Sequence, residues 1–299
     1  QTTLTSLDAS GLTATGAFGG LTWTAGALAA AATISGSAAG TNVITISAAT
    51  KAVTYTGGTG ADTVTVANAL ANTITLGNGT NIVNGAASGN NTVTGGTGAD
   101  TYTTATTGNN TVSLGDGTNA FTATTGNNTY TGGTGIDTVI VTTGANTITL
   151  GGGTTANSVT VGASAGLNTV TTTSTGVDTM NYTAAPSAGG YYTSLTGWTK
   201  GDIINFTGAS ATESATEATL GAKIALGGSA NFANYLDAAT ATTGTQGELN
   251  WFQFSGNTYV TMDNSANTSY ADGVDVVVEL AGLVDLSGAT NAVTGVLTL

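Results

Sequence analysis

Four aspartates, Asp62, Asp100, Asp137 and Asp178, each close a glycine-rich loop: "GGTGAD" (57–62), "GGTGAD" (95–100), "GGTGID" (132–137) and "TSTGVD" (173–178). Glycine tolerates positive φ, so such loops can turn backbone carbonyls inward beside the carboxylate. Carbonyls plus a carboxylate make a hard oxygen set, which suits calcium with its about six to eight oxygen ligands. The loops in between, "GNGTN" (77–81), "GDGTN" (115–119) and "GGGTTAN" (151–157), end in asparagine, a neutral and weaker ligand. The candidate donors are Gly57, Thr59 and Asp62, then Gly95, Thr97 and Asp100, then Gly132, Thr134 and Asp137. Asn81, Asp116, Asn119 and Asp178 complete the set. A ladder of turns with no ion is the competing reading. A phosphate cradle is excluded, because no helix pattern or G-K-[ST] follows the glycines.

The elements that must position these residues are short strands. Asn-Thr pairs begin at Asn72, Asn91, Asn110, Asn128, Asn146 and Asn168, at intervals of 19, 19, 18, 18 and 22 residues. Each opens an alternating run such as "NTITL" or "NTVTG", and a second series ("DTVTV", "NIVNG", "DTYTT", "NAFTA") lies between. Period-two alternation of Thr with β-branched or aromatic residues predicts strands. Two strands and two loops per 18–19 residues predict one turn of a flattened parallel solenoid. Val, Ile and Leu would fill its thin interior and Thr would face out. Turns stack ~4.8 Å apart, so about seven of them make a rod on the order of 30 Å long. The Asn of the Asn-Thr pairs falls on the opposite edge from the Asp loops. There it predicts a ladder of stacked side-chain hydrogen bonds.

The pattern G-G-x-G-x-D-x-U-x, present three times at a spacing of two turns, resembles the calcium-binding repeat of the RTX family of type I-secreted bacterial proteins. The match runs from Gly57 to about Asp178. The resemblance implies a mainly β fold, a parallel β-roll or β-helix solenoid, with Ca2+ held in the loops. The chain departs from it by carrying the motif on one edge only. Residues 1–56 resemble the lead-in turns of such proteins and are expected to form an irregular β cap, with Phe18 and Trp23 closing the end of the rod.

After Pro186 the composition shifts, with every Glu lying beyond it. Residues 187–299 are expected to form a small α+β module. Helices are expected over 211–226 and 230–240, then a hairpin within 248–266 and a last strand within 272–289. "WFQFSGNTYVTMDN", "GVDVVVEL" and "LVDLSG" resemble the C-terminal module of RTX surface-layer and adhesin-like proteins. In that family the uncleaved C-terminus carries the export signal. Asp263, Asp272 and Asp275, with Asn264, are either a further calcium site or turn residues.

Charge narrows the function further. Three Lys against 16 acidic residues leave a net charge of −13, with no Arg, His or Cys. Nucleic acid and anionic membranes need basic clusters, so neither is an expected partner. Triads, thiol nucleophiles, disulfides and zinc sites lack their side chains. The expectation is a non-enzymatic extracellular protein of a bacterial surface layer, or of a related sheet or filament, assembling with itself and with calcium. Cell-surface polysaccharide is a further candidate partner. The alternative is the stalk and secretion module of a large adhesin.

Overall fold

The computed structural model describes residues 3–16, 19–85, 89–105, 107–163, 166–185, 192–209, 220–241, 246–293 and 295–299. Among the described residues the chain is mainly β, a parallel β-solenoid of about nine turns with one short helix. It divides into two compact units, residues 1–140 with 147–153, and residues 141–146 with 154–299.

In the first unit, alternate strands build two parallel sheets. One contains Ser6–Asp8, Ala32–Ser35, Val53–Thr56, Thr73–Thr75, Thr92–Thr97, Thr111–Asp116, Thr129–Gly132 and Thr147–Gly153. The other contains Thr22–Thr24, Val43–Ile46, Thr63–Val66, Ile82–Gly85, Thr101–Thr104, Asn119–Ala123 and the start of Asp137–Val141. Like residues pair from turn to turn: Thr33 lies beside Thr54, Thr54 beside Thr73, Thr73 beside Thr92 and Thr92 beside Thr111, with one shift of register, between Ser113 and Gly115 against Thr129–Gly132. The parallel ladder already runs from Ser6, which pairs with Thr33, through the residues that precede the glycine-rich repeats.

Alternation decides which side chains go inside. Ile34, Tyr55, Ile74, Val93, Val112, Tyr130 and Ile148 form one buried column, while the Thr or Ser on either side of each face out. The second sheet contributes Trp23, Ile44, Val64, Val83, Tyr102, Phe121 and Val139. A slip of one residue would exchange these sets, so the pattern locks the register. Tyr102, Phe121 and Tyr130 stack through the interior with ring centroids 5.7 and 5.3 Å apart. Trp23 is buried within Thr22–Thr24, whereas Phe18 lies outside the described residues.

The second unit continues the parallel pattern with Ser158–Val161, Thr179–Tyr182 and Ile203–Asn205 in one sheet. Asn168–Ser174 and Thr193–Thr196 pair in the other. Antiparallel strands then take over. Val276–Leu280 runs parallel to Thr193–Thr196 and antiparallel to Asn257–Met262, which forms the expected hairpin with Leu249–Phe254. Thr290–Val293 and Val296–Thr298 close the other sheet.

The helix expected over 230–240 is Phe232–Thr240. Asn231 and Asn234 cap each other there, each Oδ1 accepting the other's backbone N–H at 3.0 Å. Of the helix expected over 211–226, residues 211–219 lie outside the described residues. Its end is instead the strand Lys223–Ile224, parallel to Trp251 and Phe252. The expected helix gives way at that end to pairing with a sheet edge, where Lys223 also sits over the Trp251 ring at 5.6 Å.

Candidate functional site

The Asp-bearing edge is built from a column of residues at which one strand begins. In the first unit these are Asn42, Asp62, Asn81, Asp100, Asn119 and Asp137, all buried. Each side chain points into the solenoid and accepts hydrogen bonds from the preceding turn. Asp62 Oδ1 accepts from the Asn42 backbone N–H at 3.0 Å and from Asn42 Nδ2 at 2.8 Å. Asn81 Oδ1 accepts from the Asp62 N–H at 2.8 Å. Asp100 Oδ1 accepts from Asn81 N and Nδ2 at 3.0 and 2.9 Å, and Asn119 Oδ1 accepts from the Asp100 N–H at 3.0 Å. In the second unit, Asp178 Oδ1 accepts from Asn157 N and Nδ2 at 2.9 and 3.0 Å, and Asp202 Oδ1 accepts from the Asp178 N–H at 2.9 Å.

A side-chain hydroxyl adds a further donor at some Asp rungs and not at others. The Tyr55 hydroxyl donates to Asp62 Oδ2 at 2.8 Å, and the Tyr130 hydroxyl to Asp137 Oδ1 at 2.9 Å. Thr172 donates to Asp178 Oδ2. The residue in the Asp100 rung that corresponds to Tyr55 and Tyr130 is Val93, which has no hydroxyl. Asp100 Oδ2 is buried without a hydrogen-bond partner of good geometry, although the Gly96 N–H lies toward the carboxyl. Burial raises the carboxyls of Asp62 and Asp100 above the ordinary value, against these donors. Burial and the Asp62 charge likewise push the Tyr55 phenol up.

The expected loop donors are placed as follows. Gly57, Gly95 and Gly132 pass so close to the Asp side chains that a Cβ on Gly95 would stand 2.3 Å from Asp100 Oδ2. Thr59, Thr97 and Thr134 are exposed on the loop rim. The Thr97 N–H donates to Asn78 Oδ1 at 3.0 Å, and the Thr134 N–H to the exposed Asp116 Oδ1 at 2.7 Å. The structure therefore separates Asp116 on the outside from Asp100 and Asp137 on the inside.

The inward oxygens of Asp62, Asp100 and Asp178 face N–H donors, whose positive ends would repel a cation. Among the described residues, no three acidic side chains come together. The buried carboxylates thus do not fit a calcium site in this arrangement.

The opposite edge is an all-asparagine ladder. Asn91 Oδ1 accepts from Asn72 N and Nδ2 at 3.2 and 3.1 Å, and Asn110 Oδ1 from Asn91 at 3.1 and 3.4 Å. Asn128 Oδ1 accepts from Asn110, both at 3.0 Å. In the second unit Asn168 Oδ1 accepts from Asn146 at 3.0 and 3.1 Å. Tyr102 adds a hydroxyl donor to Asn110 Oδ1 at 3.0 Å. Sequence reasoning found this ladder. It missed the tyrosines, whose signal is a Tyr seven residues before Asp62 and Asp137.

In the second unit, Asp263 and Asp275 are buried near each other while Asp272 is exposed. Asp275 Oδ1 accepts the Asn264 and Ser265 N–H groups at 2.8 and 3.0 Å, and its Oδ2 accepts the Ala271 N–H at 2.6 Å. Asp263 Oδ1 accepts the Ser265 N–H at 3.0 Å. Burial, together with the Asp275 charge, pushes the Asp263 carboxyl up to about 6. No helix among the described residues is long and apolar enough to cross a membrane. No protein-family model matches the chain, and no curated protein is significantly similar to it.

Proposed function

We propose that the chain is a structural, non-enzymatic subunit of an extracellular bacterial surface layer, or of a related sheet or filament, built on an RTX-like solenoid. The observation that carries this reading is the outward face of one sheet in the first unit. Its positions from Thr33 to Thr149, two per strand over seven strands, are all Thr except Ser35 and Ser113. A chain with a net charge of −13 repels its own copies. An uncharged, two-rank hydroxyl face is where copies can approach at least electrostatic cost. The other sheet's outward positions are mixed and include the exposed Val43, Ile82 and Ile140, which suits a rod whose two faces meet different neighbours.

Calcium enters this reading as a counter-ion between copies, at exposed carboxylates such as Asp116, Asp272 and Asp285. Screening of the net charge is then what lets subunits crowd. The test is addition of millimolar calcium to the purified full chain, followed by light scattering and electron microscopy. Ordered sheets or filaments that dissolve in chelator are expected. A chain that stays monomeric overturns the lattice reading and favours the adhesin stalk.

A further inference from the structure

The glycine-rich repeat alternates between two loop sequences, and the structure relates that alternation to hydrogen-bond polarity rather than to metal binding. Gly58, Gly77, Gly96, Gly115 and Gly133 stack as one column, each so close to the last that a Cβ would meet its backbone. Within this column φ is positive at Gly77 (80°) and Gly115 (79°), and at neither Gly58, Gly96 nor Gly133. The two positive-φ glycines belong to the loops that end in Asn81 and Asn119, and the other three to the loops that end in Asp62, Asp100 and Asp137; the alternation stops there, since Gly151, stacked next on Gly133, is not at positive φ although its loop ends in Asn157.

The groups offered to the rung change with φ. At the Asn rungs the loop supplies carbonyls: Asn81 Nδ2 donates to the Gly77 and Gly79 oxygens at 3.4 and 3.2 Å, and Asn119 Nδ2 to the Gly115 oxygen at 2.7 Å. At two Asp rungs an N–H of the rung's own loop faces the carboxyl, Gly58 toward Asp62 and Gly96 toward Asp100, while the N–H that reaches Asp137 Oδ2, at 3.3 Å, is that of Gly151 in the following loop. Carbonyls suit an amide, and N–H groups suit a carboxylate.

We infer that Asp62, Asp100 and Asp137 are metal-independent rungs, and that over residues 57–119 the alternation of the two loops is a polarity code matching loop carbonyls to Asn and loop N–H groups to Asp. The alternation has a second effect. Neighbouring rungs stand ~4.8 Å apart, so placing Asp on every other one doubles the distance between buried charges. By Coulomb's law this halves their repulsion. The inference concerns the single chain and stands apart from the lattice reading.

Two measurements on dilute, monomeric full chain decide it: calcium titration by calorimetry, and thermal melting with calcium chloride or chelator. The variants are the triple Asp62→Asn/Asp100→Asn/Asp137→Asn, the single Asp100→Asn, and Asn81→Asp. The triple variant is expected to bind as many calcium ions as the parent, zero included, and to show the same calcium-induced shift in Tm. Asp100→Asn turns Nδ2 toward the Gly96 N–H and is expected to melt below the parent, by the same margin in calcium as in chelator. Asn81→Asp places a carboxylate against two loop carbonyls and between Asp62 and Asp100. It is expected to melt several degrees lower, with no rescue by calcium. Loss of bound calcium in the triple variant overturns the inference, as does a gain in calcium affinity or a calcium rescue in Asn81→Asp. If Asn81→Asp does not fold in either condition, the triple and Asp100→Asn still decide the question by their stoichiometry and melting.

Discussion

Asn81 gives one oxygen of Asp100, a full turn further on, two hydrogen bonds: its backbone N–H at 3.0 Å and its Nδ2 at 2.9 Å. One carboxylate oxygen thereby satisfies both a backbone donor at a strand start and the side-chain amide of the rung before it. Buried backbone N–H groups need such partners. At a solenoid corner the sheet ladder is interrupted, and the Asn and Asp columns carry the bonding across the gap.

The asparagine ladder should therefore be costly to interrupt. Asn110→Ala removes the acceptor of the Asn91 N–H and of the Tyr102 hydroxyl. At ~1–3 kcal/mol for each buried group left unpaired, the loss should be about 3 kcal/mol. The neighbouring Thr111 is exposed, and Thr111→Ala should stay within about 0.5 kcal/mol of the parent. Urea unfolding of both variants checks the contrast.

Close approach makes particular glycines irreplaceable. A Cβ on Gly95 would lie 2.3 Å from both Asp100 Oδ2 and the Leu114 carbonyl oxygen. Gly95→Ala should destabilise by about 1–3 kcal/mol or more, as overpacking does. A Cβ on Gly228 meets nothing within 4 Å, and Gly228→Ala should be neutral or slightly stabilising. Differential thermal melting distinguishes the two.

Stability should rise on mild acidification. Burial raises the carboxyls of Asp62, Asp100 and Asp202, and burial with the Asp275 charge brings Asp263 to about 6. Between the unfolded value of 3.8 and about 6 the native state holds a proton on Asp263 that the unfolded chain has released. That contribution is fully present below the unfolded pKa and is lost as pH rises through the folded one. Hydrogen bonds from Ser10, Thr134 and Ser287 lower Asp8, Asp116 and Asp285 and act in the opposite sense. Those three carboxylates are exposed, and solvent screens them. Tm in chelator should be higher at about pH 4.5 than at about pH 7.5, and Asp263→Asn should flatten the profile.

The last unit rests on an aromatic cluster. Phe252 is fully buried, stacked on Tyr259 at 5.2 Å and on Tyr235 at 5.2 Å, with Phe232 of the helix at 5.8 Å. Phe252→Ala should cost about 3–5 kcal/mol. Loss of near-ultraviolet circular dichroism at lower denaturant concentration checks it.

The sequence by itself determined the strands, the parallel solenoid and the asparagine ladder. These follow from local alternation and from a period of 18–19 residues, which stacks like residues on like wherever the turns close. It also marked Asp62, Asp100 and Asp137 as members of one column. It did not determine which loop groups meet the side chains of the column. That depends on whether a glycine several residues earlier takes positive φ, and so whether the loop turns a carbonyl or an N–H inward. Only the stacked turns decide this, because Gly77 and Gly96 are both permissive as single residues. The same holds for Lys223 and Ile224, at the end of an expected helix, which pair instead beside Trp251 and Phe252. Tertiary structure decided these points because each is settled by a neighbour distant in the chain, a turn away at the corners and some thirty residues away at the sheet edge.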